Sequence, residues 1–117
     1  MTPATRNSLL SKVERRYTEV EFGGEVYRLR SLTAAEFARV QGVTFEAQAA
    51  TERRGELFVK ANAMALRMCL VDAEGEPLFI DADLDKLQEI DQGLFTKLAD
   101  ACGVLINNVD PEETAKN

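Results

Sequence analysis

The chain has 117 residues, of which 45% are hydrophobic, and fourteen Lys and Arg against twenty Asp and Glu give it a net charge of −6. This length and composition suit one globular domain, while the acidic balance argues against a general nucleic-acid binder, which needs clustered cationic side chains. The sequence contains no His, which excludes Ser–His and Cys–His nucleophile pairs and His-bearing metal sites. No apolar run approaches the ~18 to 20 residues of a membrane span.

The N-terminal quarter changes from helical to alternating periodicity. Residues 5–15 form a short amphipathic segment, too weakly apolar for a signal peptide. The stretch YTEVEF-GG-EVYRLR then predicts a β-hairpin, with Gly23 and Gly24 supplying the positive φ angles of a two-residue turn. That turn fixes the register, so that Val20 faces Tyr27 and Glu19 faces Arg28 across the strands, the latter as a favourable charge pair.

A helix is predicted directly after the hairpin. Thr33 and Glu36 have the spacing of a capping box, and Leu32 preceding Thr33 suits a hydrophobic staple. Gly42 interrupts the apolar pattern, so the helix is predicted to end there. Residues 43–54 are interpreted as a partly helical, mobile connection.

The strongest helical pattern covers residues 56–71, ELFVKANAMALRMCLV, which are apolar almost all round. A helix of this kind is buried on most sides, either in the core or against another chain. Its methionines suit core packing as well as an adaptable binding surface. Because one small core would not cover so much apolar surface, we expect self-association or a hydrophobic partner. The predicted partner-binding residues are Leu57, Ala61, Met64, Met68 and Val71.

The second half of the chain is acidic: residues 61–117 carry four basic and twelve acidic side chains, a charge of −8. Residues 72–77 predict a turn and residues 78–80 a short extended run, after which Asp81 or Asp83 caps a helix. A further amphipathic helix follows Gly93 and runs to about residue 109. We therefore predict one domain over residues 1–110 and a flexible polar tail over residues 111–117.

The acidic segment does not match a known type of site. Asp81, Asp83 and Asp85 imitate the start of a calcium loop, but Lys86 replaces its essential Gly and Gln92 its bidentate Glu. Its paired carboxylates leave acid–base catalysis as a minor alternative, although solvated, helix-capping charge explains them better. The two cysteines, Cys69 and Cys102, lie in apolar helical patterns and are predicted to be buried free thiols. No catalytic residue, metal site or cofactor is predicted.

Four stretches follow one another in a set order: V-E-F-G-G-E-V-Y-R-L-R, L-T-A-A-E-F, L-R-M-C-L-V-D-A-E-G-E-P-L-F and the terminal E-E-T-A-K-N. This succession, which extends over essentially the whole chain, resembles the tail assembly chaperones of long-tailed bacteriophages. The resemblance implies a small, mainly helical α+β fold: a single domain with an N-terminal β-hairpin packed on four or five helices. It implies no catalytic residues.

The resemblance also implies a partner and a place of action. Such chaperones bind the tape measure protein, and often the major tail protein, in the host bacterial cytoplasm during tail assembly, and they are absent from the mature virion. Many also exist in a longer form made by translational frameshifting. The expected partners are therefore proteins, not nucleic acid or membrane. A small acidic helical adaptor or regulatory protein outside the phage context is the alternative.

Overall fold

The computed structural model describes residues 1–107, which form five α-helices and a three-stranded sheet. Along the chain the elements are α1 (Arg6–Leu10), β1 (Tyr17–Phe22), β2 (Glu25–Arg30), α2 (Ala34–Ala49), α3 (Arg54–Cys69), β3 (Leu70–Val71), a 3-10 turn (Asp81–Asp83), α4 (Leu84–Leu87) and α5 (Gln92–Asn107). This confirms the predicted α+β class, mainly helical with an N-terminal hairpin. The predicted polar tail, residues 111–117, lies outside the described residues.

The hairpin has the predicted register. Val20 pairs with Tyr27 and Glu19 with Arg28, and both turn glycines have positive φ angles, 60° and 82°. The face bearing Val20 and Leu29 is buried against the helices. On the opposite face the Arg28 guanidinium lies over the Tyr17 ring and donates to the Ala73 carbonyl. This side chain therefore also connects the turn at residues 72–77 to the sheet.

Helix α2 begins as predicted but continues much further. The Thr33 hydroxyl accepts from the Glu36 amide at 3.2 Å and the Glu36 carboxylate accepts from the Thr33 amide at 2.9 Å, which is the predicted capping box. The prediction that the helix ends near Gly42 is wrong, because regular α-helix extends to Ala49. Its second half packs against α3, and Ala47 is fully buried there. This packing outweighs the low helix propensity of one glycine.

Helix α3 ends two residues earlier than predicted. Leu70 and Val71 form the short third strand, which pairs antiparallel with β2 through Leu29 and Arg28. The sheet order is β1-β2-β3. The strand arises from long-range contacts, since the Arg30 guanidinium donates to the Met68 carbonyl and the Leu78 amide donates to the Leu70 carbonyl. Val71 therefore belongs to the sheet and not to a helix face.

Aspartates start or stabilise the turns in the acidic half. One Asp72 carboxylate oxygen accepts from the amides of Glu74 and Glu76, which forms the predicted turn. Asp83 accepts from the Ile80 amide at 3.0 Å at the start of the 3-10 turn. Asp91 accepts from the Leu94 amide at 3.1 Å and caps α5, which begins at Gln92, about two residues earlier than the sequence pattern indicates. These carboxylates serve as helix and turn caps.

The N-terminal segment is less helical than predicted. Only Arg6–Leu10 is helix, although Thr5 and Ser8 form a capping box there. Leu9, Leu10 and Val13 are 59–77% exposed, so this segment adds nothing to the core.

The core lies between the sheet and the three long helices. It is formed by Val20, Leu29, Val40, Ala65, Leu66, Met68, Cys69, Leu70, Leu98, Cys102 and Leu105. Across residues 1–107, none of the helices combines the length and the apolarity that crossing a bilayer would require.

Arginines at the base of the hairpin connect it to three helices. Arg15 forms an ion pair with Glu36 at 2.6 Å, at the start of α2. Arg30 donates to the Met68 carbonyl at the end of α3, and Arg16 donates to the Leu105 carbonyl of α5. The first contact is favourable because cations suit helix C-termini, where carbonyls lack intrahelical partners. The hairpin is thereby fixed in orientation relative to α2, α3 and α5.

Candidate functional site

The five residues predicted to bind a partner do not form one exposed stripe. Ala61, Met68 and Val71 are only 2–3% exposed and pack within the chain, whereas Leu57 and Met64 are half-buried. Helix α3 has α2, α4, α5 and the sheet as neighbours, which together cover more of it than the sequence suggested. A partner could reach the three buried residues only if the fold opened.

Apolar exposure on these helices concentrates instead at the far end of the α2–α3 pair. The two helices form a helical hairpin joined by residues 50–53. Phe45 is 59% exposed and Val59 is 38% exposed. With a rise of ~1.5 Å per residue, Phe45 lies about 6 Å from the end of α2 and Val59 about 7.5 Å from the start of α3. Each residue therefore lies between one and two helical turns from the connection.

We call residues 43–60 the hairpin tip. Its apolar residues stand among charged ones: Arg53 forms an ion pair with Glu56 at 2.7 Å, and the Arg54 guanidinium lies 5.7 Å from the centre of the Phe58 ring. Apolar side chains ringed by charge and hydrogen-bonding groups are typical of protein-binding surfaces. Leu57, one of the predicted residues, also lies here.

A groove of about 490 Å³ runs beside the hairpin tip, between the start of α3 and α4. Its apolar lining comes from Leu57 and Leu84. The polar lining carries both charge signs and consists of Glu52, Arg53, Glu56, Lys60, Asp85 and Gln88. The groove can accept an apolar side chain. Its polar lining can form hydrogen bonds and ion pairs with a partner around that side chain.

Phe45 is not among the residues predicted to bind a partner, because it lies in the stretch 43–54, which the sequence pattern indicates to be a connection. A usable signal was present: Val40, Val43 and Ala47 are spaced three and four residues apart, which is helical periodicity. A helix through residue 47 with those residues facing inward leaves Phe45 on a different side.

In the part of the chain that the structure describes, the two groups with shifted pKa values lie away from the hairpin tip. Burial raises the pKa of Glu36, but its hydrogen bond from the Thr33 amide and the charges of Arg15 and Arg30 outweigh burial and lower the net pKa. The contact with Cys102, followed by burial, raises the pKa of the Cys69 thiol. Both groups belong to the scaffold. Within residues 1–107, no three His, Cys, Asp or Glu side chains are grouped to hold a metal ion.

Comparison with known proteins finds similarity in structure but not in sequence. No protein-family model matches the sequence, and no curated protein matches it. Among solved structures, the tail assembly chaperone of bacteriophage HK97 superimposes with a TM-score of 0.65. The alignment has 20% sequence identity and covers 80% of this chain and 87% of the other. At this identity the similarity establishes a shared fold.

Proposed function

We propose that this protein is a non-enzymatic phage tail assembly chaperone that binds the tape measure protein while the tail is being built. The observation that carries the proposal is the fold similarity to the HK97 tail assembly chaperone, which extends over 80% of the chain. The order of the four sequence stretches, which resembles that of this family, supports the proposal independently. On this proposal the protein acts in the host cytoplasm, is absent from the finished virion, and has the major tail protein as a second partner.

The hairpin tip is the surface we assign to the tape measure protein. A tape measure protein is long and helical, and its apolar stripes must be shielded from water before assembly. An amphipathic helix docks through apolar residues at helical spacing, and Phe45 on α2 and Val59 on α3 are the large hydrophobic side chains that these two helices leave exposed. Half-buried Leu57 extends this contact into the neighbouring groove. The predicted residue Met64, half-buried further along α3, stays a candidate contact.

Co-purification with the tape measure protein tests the proposal. The chain is co-expressed with the tape measure protein of its own phage or prophage, and the complex is isolated through a tag on either partner. We expect a stable complex whose affinity falls about tenfold or more when Phe45→Ser and Val59→Ser are combined, because central apolar contacts carry most binding energy. Val104→Ser is the matched control, since Val104 is 55% exposed on α5, outside the tip.

The possible results separate the parts of the proposal. A chain that binds neither the tape measure protein nor the major tail protein would overturn the chaperone role and favour the acidic adaptor. A complex that tolerates the double substitution as well as it tolerates Val104→Ser would keep the chaperone role but exclude the hairpin tip as its surface. Circular dichroism of each variant establishes that a loss of binding is not a loss of fold.

A further inference from the structure

Two cysteines meet in the core at a place that the proposed function does not use. Cys69 is the last residue of α3 and Cys102 lies in α5. Their sulfur atoms are 2.7 Å apart, and the two residues are 0% and 2% exposed. Both are free thiols in this structure. The contact therefore joins two long helices that are far apart in sequence.

The neighbourhood of the pair favours a reaction of the two sulfurs with each other. A disulfide needs its sulfurs ~2.05 Å apart, and side chains already in contact reach this distance by small rotations. Both cysteines lie in the apolar core cluster, which includes Leu66 and Leu98, and the charged groups that act on Cys69, Glu36 and Arg30, are not competing thiols. Each thiol therefore has the other as its nearest reactive partner.

We propose that Cys69 and Cys102 are a modification site, at which hydrogen peroxide converts the buried thiol pair into an intramolecular disulfide that ties α3 to α5. One sulfur attacks a peroxide oxygen, the O–O bond breaks, and a sulfenic acid and one water form. The second sulfur attacks the sulfenic sulfur and the S–O bond breaks. The sulfenic hydroxyl takes the proton of the second thiol and leaves as the second water. Two thiols are oxidised and one peroxide is reduced to two waters.

Burial explains why a small oxidant is required. Both sulfurs are buried, so an oxidant must enter the core to reach them, and the contact with Cys102 and burial raise the pKa of Cys69, which disfavours its thiolate. Peroxide is small enough to reach the core during local opening, and a sulfenic acid adds only one oxygen atom. A bulky glutathione adduct would not fit between α3 and α5.

The disulfide should raise the thermal stability of the protein measurably. It closes a loop over residues 70–101, which restricts the unfolded chain, and for a loop of this length we expect Tm to rise by about 15 °C. The effect concerns the scaffold, so it does not depend on whether the chain binds a tape measure protein.

Mass spectrometry of the intact chain tests the proposal. Reduced protein is treated with hydrogen peroxide under native conditions, then denatured, alkylated with N-ethylmaleimide and digested with trypsin. We expect a monomer that has lost two hydrogen atoms and takes up no alkylating reagent, with peptide 68–86 linked to peptide 98–116. The Tm should rise, and dithiothreitol should reverse the rise. Cys69→Ala and Cys102→Ala are the controls, in which the link cannot form.

Three results would overturn the proposal: both cysteines alkylated after peroxide treatment, oxidation that goes directly to sulfinic acid at either residue, or disulfides formed only between chains. The decisive measurement uses the unmodified sequence, so it holds even if an alanine control fails to fold.

Discussion

Replacing Glu36 by Gln should destabilise the protein by about 2 kcal/mol at neutral pH, because partly buried, charge-assisted hydrogen bonds are worth ~1.5 to 3 kcal/mol. The Glu36 carboxylate is 20% exposed and lies 2.6 Å from Arg15 and 3.7 Å from Arg30, which are 22% and 14% exposed. Glutamine is almost the same size and can still accept from the Thr33 amide, so the substitution removes the charge and keeps most of the cap. It leaves two guanidinium groups at the hairpin base without their carboxylate.

The pH dependence of the free energy of unfolding provides a second test of this prediction. The folded-state pKa of Glu36 lies below the ordinary glutamate value of about 4.5. The stability from its charge is therefore fully present above about pH 4.5 and is lost as the pH falls through the lower, folded pKa. Once protonated, Glu36 is neutral like Gln, so the difference between the two proteins should shrink at low pH.

Urea unfolding followed by circular dichroism, at pH 7 and near pH 3, measures both effects. Glu46→Gln in the same helix is the control, since Glu46 is exposed and should change stability by less than about 0.5 kcal/mol. Equal effects of the two substitutions at pH 7 would refute the reasoning. So would a Glu36→Gln deficit that persists unchanged at low pH.

Three further predictions concern other parts of the chain. Gly42→Ala should stabilise by about 0.5 to 1 kcal/mol in thermal unfolding, because the glycine lies inside α2 with open space at its Cβ position; no gain would contradict a continuous helix. Millimolar calcium should leave Tm unchanged, since Lys86 and Gln92 break the loop pattern, and a shift of several degrees would contradict this. Deleting residues 111–117, in which Ala115 is the sole hydrophobic residue, should barely change Tm; a clear drop would show that these residues contribute to the fold.

The features that the sequence predicted correctly depend on neighbours along the chain. The two-residue glycine turn sets the register of the hairpin, and the Thr33–Glu36 spacing sets the start of α2. Both are confirmed, because each needs only a few residues with defined backbone angles and short-range hydrogen bonds. The buried free thiols Cys69 and Cys102 also follow from the local apolar pattern.

The features that the sequence missed depend on contacts between distant segments. Gly42 costs α2 only about 1 kcal/mol, and the burial of Ala47 against α3 outweighs this cost, so the helix continues. Val71 leaves the helix because β2 offers it a strand partner. The exposure of Phe45 and the meeting of the two sulfurs likewise depend on how α2, α3 and α5 pack. Local patterns thus determined the elements of this protein. Tertiary packing decided the lengths of these elements and which apolar residues stay exposed, because burial depends on all the neighbours that fold against a side chain.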